Sequence, residues 1–186
     1  FHYQDAVHVA DGAETMGDDE DGAVAHDVVQ RLLHQAFRLV VQRDGAFRIE
    51  AAPVAPATRM RIAVAAEPVD ERDVFLYHKT TCRDAYERAK ASRPDADDVM
   101  LWNRRGEITE STIANVAVEL DGAWVTPPVA SGLLEGTMRG HLLAAGKLRE
   151  GVILRDDLRR ATGVALLNSV RKWVPVEMVD ENGNLL

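Results

Sequence analysis

Apolar and polar positions alternate in short runs along most of this chain, and the runs are broken by turns that carry glycine or proline. Phe37–Gln42 and Ala46–Ala51 read as two strands joined by Arg43-Asp44-Gly45, a hairpin turn whose glycine tolerates positive φ. Further strands are predicted over Met60–Ala65, Asp98–Trp102, Val152–Leu154, Val164–Leu167 and Val174–Val179. Glu107–Leu120 reads as a strand interrupted near Ser111–Ala114, and Asp121-Gly122 turns it into Ala123–Thr126. Helical spacing appears in four places. Val28, Val29, Leu32 and Leu33 share a face over Val24–Leu33, with His26-Asp27 as a cap. Tyr86 and Ala89 share a face over Arg83–Ser92, which Pro94 ends. Thr137–Ala145 places Met138, Leu142 and Leu143 together and stops at Gly146. Arg155-Asp156-Asp157 opens a helix through Arg160. Mixed strands and helices with several hairpins predict an α+β fold rather than a doubly wound parallel sheet.

Composition narrows the function classes. The chain has 186 residues, enough for one large domain or two small ones, and 46% are hydrophobic, enough for a buried core. The net charge of −8 argues against nucleic acid or an anionic membrane as the main partner, because neither attracts an acidic surface. Cys82 is the single cysteine, so no intrachain disulfide forms, which fits a reducing cytoplasm. It reads as a small buried hydrophobe or an unreactive thiol. No apolar run approaches a membrane span, and no signal-peptide pattern opens the chain. The first residue is Phe1, as in a processed protein or part of a longer polypeptide. The six histidines show no metal-ligand spacing, and neither a Gly-x-Ser-x-Gly elbow nor a phosphate loop occurs.

Several residues carry both a structural and a chemical reading. Lys79 follows the apolar Val74–Tyr77 segment; it is either a surface lysine at a strand end or an amine that attacks a carbonyl. Glu110 lies in an alternating strand, as a solvent-facing carboxylate or as the partner of a pyridinium nitrogen. Asn115 alone reads as a turn residue. Gly136-Thr137-Met138 opens a helix whose free N–H groups either take an ordinary cap or bind an anion. Asn168-Ser169 ends a strand, as a turn or as a bracket for the same anion. Trp102, Trp124, Trp173 and the Met138 side chain read as core.

Four stretches in order, HKTTCRDAY (78–86), DDVMLWNRRGEITESTIANVAVELDGAWVTPP (97–128), GLLEGTMR (132–139) and LLNSVRKW (166–173), resemble the class IV (fold type IV) pyridoxal-phosphate enzymes. That family includes aminotransferases and aminodeoxychorismate lyase, and the likeness is greatest to the lyase modules of para-aminobenzoate synthase fusions. It covers roughly residues 45–180. It implies a D-amino-acid aminotransferase-like fold, with a small N-terminal α/β domain over 1–77 and a larger mixed pseudo-barrel domain over 78–186. It implies Lys79 as the lysine that condenses with the cofactor aldehyde and Glu110 as the carboxylate facing the ring nitrogen. Thr137 and Met138 match the phosphate-holding helix start, and Asn168 and Ser169 match the second phosphate-side loop. Asn115 and Tyr86 fall in the cofactor-binding stretches, Tyr86 near the cofactor oxygen, and Arg171 is the candidate for a substrate carboxylate.

One departure stands at the N-terminus. Glu14-Thr15-Met16 looks like the Glu-Thr-Met-Arg that opens the small domain in such relatives, where an arginine in a following helix grips the phosphate. Here Met16 runs into the acidic loop Gly17–Gly22, and Arg31 and Arg38 stand in a different context. The resemblance then implies weakened cofactor binding. The implied reaction is elimination of pyruvate from 4-amino-4-deoxychorismate, giving para-aminobenzoate for folate synthesis in the cytoplasm. The implied partners are the small-molecule substrate, a second copy in a homodimer, and a chorismate-binding synthase component, fused or separate. Two alternatives stand beside it: a class IV aminotransferase acting on amino acids, and an inactive dimerisation or fusion domain.

Overall fold

The computed structural model describes residues 35–54 and 59–185. The predicted helix over 24–33, the Glu14-Thr15-Met16 likeness and Arg31 lie outside the described residues. Contacts divide the chain between Ala55 and Pro56 into two compact units.

In the first unit, β1 (Gln35–Val41) pairs antiparallel with β2 (Phe47–Pro53), with Leu39 opposite Ile49. Gly45 takes φ +87 in the connecting turn, the conformation a short hairpin asks of glycine. Arg38 pairs with Glu50 across the strands at 3.6 Å.

The second unit is built on β3 (Met60–Val64), β4 (Asp98–Trp102), β5 (Ile108–Ser111), β6 (Asn115–Leu120), β7 (Ala123–Thr126), β8 (Arg149–Glu150), β9 (Gly163–Asn168) and β10 (Lys172–Met178). Their order is β5-β4-β3-β10-β9-β6-β7-β8, and β5 pairs again with β6. The six strands from β5 round to β6 therefore close on themselves as a mixed barrel, with β7 and β8 extending from it. β3 lies between β10 and β4, parallel to both, which puts residues 60–64 in the large sheet.

Alternation along the strands sorts side chains to two sides. Ile62, Met100, Ile108, Val116, Val118, Leu166 and Val174 fill one cluster inside the barrel. Their neighbours point out: Val99 and Leu101 pack against Tyr86 and Ala89 of α1 (Asp84–Ala91), and Ala117 and Leu167 pack against Leu142 of α2 (Thr137–Ala144). Full burial of side chains the size of Leu101 or Ile62 contributes roughly 1.5–3 kcal/mol each. α1 carries Asp84 and Glu87 in its first turn and Arg88 and Lys90 in its last, matching the helix dipole at both ends. Trp124 and Trp173 meet edge to face, with ring centres 4.6 Å apart.

The predicted strand at Val152–Leu154 does not form. Gly151 ends β8, and the chain then only touches β5: the Ile108 amide donates to the Ile153 carbonyl at 2.7 Å. Residues Arg155–Arg160 form a 3-10 helix, closed at its start by the Asp157 carboxylate, which accepts from the Leu154 amide at 2.8 Å. Among the described residues no helix is long and apolar enough to cross a membrane.

Candidate active site

The β5–β6 hairpin places Glu110 directly opposite Asn115. Ser111 donates its amide to Ala114 at 2.8 Å, which leaves Thr112 and Ile113 as the tip. Across this pair, Nδ2 of Asn115 donates to Oε2 of Glu110 at 3.1 Å and to the Leu134 carbonyl at 2.8 Å. The Tyr86 hydroxyl reaches in from α1 and donates to Oε1 of Glu110 at 2.7 Å, and the Leu134 amide donates to the same oxygen at 3.2 Å.

Glu110 is 4% exposed, so the solvent-facing alternative fails. Burial pushes its pKa up to about 7, against the hydrogen bonds from Tyr86 and Leu134 and the charges of Lys79 and Arg83, which pull it down. Burial, with the neighbouring Glu110 charge, also raises the pKa of Tyr86. A carboxylate with three donors and no ion-pair partner among the described residues is suited to receive a positively charged N–H group.

Lys79 lies exposed between the 3-10 turn Val74–Leu76 and α1, and its charge is felt at Glu110. Cys82, three residues on, is exposed rather than buried, because the Thr80–Arg83 segment runs over the surface before α1 starts.

Gly136 precedes α2 in extended conformation and offers no side-chain cap, so the amides of the first turn have no partner from that side. The Thr137 and Ser169 hydroxyls meet there at 2.7 Å, joining the helix start to the β9–β10 turn. In that turn Oδ1 of Asn168 accepts from the Val170 and Arg171 amides at 3.1 and 2.8 Å, so the side chain shapes the loop. The Arg171 side chain has no hydrogen-bond or ion-pair partner among the described residues. The Met138 side chain packs into the cluster under α2, and only its backbone belongs to the helix start.

Two groups therefore form: Tyr86, Glu110 and Asn115, with Lys79 nearby; and Thr137, Ser169, Asn168 and Arg171. Gly136 and Asn115 connect them, since a Cβ built on Gly136 would overlap Oδ1 of Asn115. Sequence reasoning missed Arg83, Thr112, Asp98 and Leu134. Arg83 stacks over the Tyr86 ring at 4.6 Å and donates to the Thr112 carbonyl, and the Thr112 hydroxyl donates to buried Asp98. The signal for Arg83 was its place four residues beyond Lys79; Leu134 acts through its backbone and left no side-chain signal.

Comparison with known proteins extends this picture. The chain is 44% identical over 109 residues to a Schizosaccharomyces pombe protein named "Putative aminodeoxychorismate lyase", covering 55% of this chain and 47% of that one. It is 28% identical over 204 residues to the Saccharomyces cerevisiae aminodeoxychorismate lyase, covering 81% and 54%. The chain thus spans about half the length of these relatives. Among solved structures, a Mesorhizobium loti protein titled a "Putative amino-acid aminotransferase" superposes with a TM-score of 0.72 at 32% identity, over 86% of this chain and 82% of that one. The family description "Amino-transferase class IV" matches residues 22–179, and with the barrel described above it shows that the chain belongs to this family, with the fold of fold type IV enzymes.

Proposed function

We propose that this chain is a pyridoxal-phosphate-dependent aminodeoxychorismate lyase. The observation that carries the reading is the buried Glu110 carboxylate, held by Tyr86, Asn115 and the Leu134 amide within reach of the Lys79 charge. The names of the fungal relatives point the same way.

The residues present fit the cofactor. Among the described residues Glu110 has no ion-pair partner, a place that a protonated pyridine nitrogen would fill, and α2 begins with an uncapped glycine beside two hydroxyls, a setting suited to phosphate. Glu110 would therefore hold the ring nitrogen, and Thr137, Ser169 and the first amides of α2, including that of Met138, would hold the phosphate. Bound pyridoxal phosphate supplies an aldehyde for the substrate amine and a ring that accepts electrons.

Lys79 Nζ would anchor the aldehyde in the resting enzyme and, once released by the substrate amine, take the proton from the amine-bearing carbon. Glu110 keeps the nitrogen-side charge in place while that proton moves. Arg171 would orient a substrate carboxylate through its two-pronged guanidinium. The carbon–oxygen bond to the enolpyruvyl group then breaks, the ring becomes aromatic, and the released enol gains a proton to give pyruvate. Substrate, one molecule of 4-amino-4-deoxychorismate, equals para-aminobenzoate plus pyruvate in atoms and electrons.

The Mesorhizobium loti likeness favours a second reading, a class IV aminotransferase acting on amino acids, because that neighbour is titled a "Putative amino-acid aminotransferase". The test is pyruvate release from aminodeoxychorismate by cofactor-loaded protein with no keto acid present. Release supports the lyase; amino transfer that requires a keto acid, without such release, supports the aminotransferase.

A further inference from the structure

Among the described residues the Arg83 side chain contacts Tyr86 and Thr112, and both contacts lead to Glu110. Its guanidinium stacks on the Tyr86 ring, and Tyr86 donates to Glu110. Its Nη2 also donates to the carbonyl of Thr112, two residues beyond Glu110 at the hairpin tip. From the other side the same tip is tied down by the Thr112 hydroxyl, which donates to Asp98 at the start of β4. The tip of the hairpin that carries Glu110 and Asn115 is thus held between α1 and β4.

We propose that Arg83 is a positioning residue that locks Tyr86 and the hairpin tip against each other and, with a charge that takes no part in the chemistry, favours the negative form of Glu110. This rests on the lyase reading, in which Glu110 must stay negative opposite a ring nitrogen. Three ionisable groups act on Glu110: Tyr86 from α1, and Lys79 and Arg83 from the segment leading into it. Asn115 on β6 and the Leu134 amide are neutral donors. Burial works against the charged form, and the two cations oppose burial. Lys79 must change its charge when it serves as anchor and base. A guanidinium keeps its proton throughout, and its planar fork can cover a ring and reach a carbonyl together, which an ammonium cannot.

The test follows the Glu110 carboxyl by carbon-13 NMR through a pH titration of the cofactor-free chain, with the signal assigned by its loss in Glu110→Gln. Arg83→Met is expected to move the Glu110 midpoint upward by roughly one pH unit, the size of effect a nearby cation has. Arg83→Lys, which keeps the charge, is expected to restore most of that shift. Should the methionine variant fail to fold, Arg83→Gln makes the same comparison, since its amide still reaches toward the Thr112 carbonyl. A lowered melting temperature with an unmoved midpoint would mean that Arg83 only supports the fold, and would overturn the proposal. No substrate or cofactor enters this measurement. A shifted midpoint in a protein that releases no pyruvate would therefore uphold the role of Arg83 and reject the lyase reading.

Discussion

Gly136 and Asn115 approach so closely that a Cβ on Gly136 would overlap Oδ1 of Asn115. The backbone at Gly136, φ −74 and ψ 141, suits alanine as well as glycine, so the constraint is space alone. Gly136→Ala is expected to push Asn115 away from Glu110 and Leu134, destabilise the fold by about 1–3 kcal/mol and weaken cofactor binding. Urea unfolding measures the first effect and absorbance titration the second. In combination with Asn115→Ala the loss should be smaller than the sum of the two single losses, because the overlap is gone; strict additivity would argue against the contact.

Glu110 makes stability depend on pH. Its pKa rises from 4.5 to about 7 on folding. Between those values the folded chain keeps a proton that the unfolded chain has lost, so stability falls as pH rises through this window. The cumulative loss above pH 7 is on the order of 3 kcal/mol. Glu110→Gln is expected to remove this slope in the cofactor-free protein, leaving urea midpoints at pH 5 and pH 8 closer together than in the wild type. A slope that persists unchanged would place the titrating group elsewhere.

The hydroxyl pair at the start of α2 should act on phosphate alone. Ser169→Ala is expected to weaken binding of pyridoxal phosphate about 10–150-fold, the loss of one hydrogen bond to a charged group. Binding of pyridoxal, which lacks the phosphate, should hold steady. Equal losses for both compounds would assign Ser169 to loop shape instead.

Arg139 is 1% exposed, donates to the Pro127 carbonyl at 2.7 Å and pairs with half-exposed Glu150. Arg139→Ala leaves a cavity and an unpaired carbonyl, and a destabilisation of about 2–4 kcal/mol is expected from thermal or urea unfolding. Arg139→Met, which fills most of the space, should lose less; equal losses would make the charge rather than the packing decisive.

Much of this arrangement was legible in the sequence, and the limits are physical. The strand over Glu107–Leu120 and its interruption near Ser111–Ala114 could be read from the pattern, but the pairing of Glu110 with Asn115 depends on how the two halves fold back on each other. Thr137 and Ser169 could be read as one anion-binding group because one opens a helix and the other follows a strand end, but their contact at 2.7 Å depends on how α2 packs on β9. The barrel closure and the parallel placement of β3 join segments far apart in sequence, where alternation gives faces but no partners. Val152–Leu154 is a short apolar, β-branched run like a buried strand but lacks a full neighbour, so pattern alone misplaced it. Arg83 escaped notice because a half-buried arginine at a helix start looks like any surface arginine until its two partners are seen.

The central claim is that Lys79 holds the cofactor aldehyde with Glu110 at the far side of the ring. The sequence contains four lysines, Lys79, Lys90, Lys147 and Lys172. Borohydride reduction of the protein after incubation with pyridoxal phosphate, followed by peptide mass spectrometry, reads directly which of them is joined to the cofactor. A pyridoxyl group on the Lys79 peptide, absent in Lys79→Ala, is the predicted result. Labelling of Lys90, Lys147 or Lys172 in its place, or no label at saturating cofactor, would contradict the account.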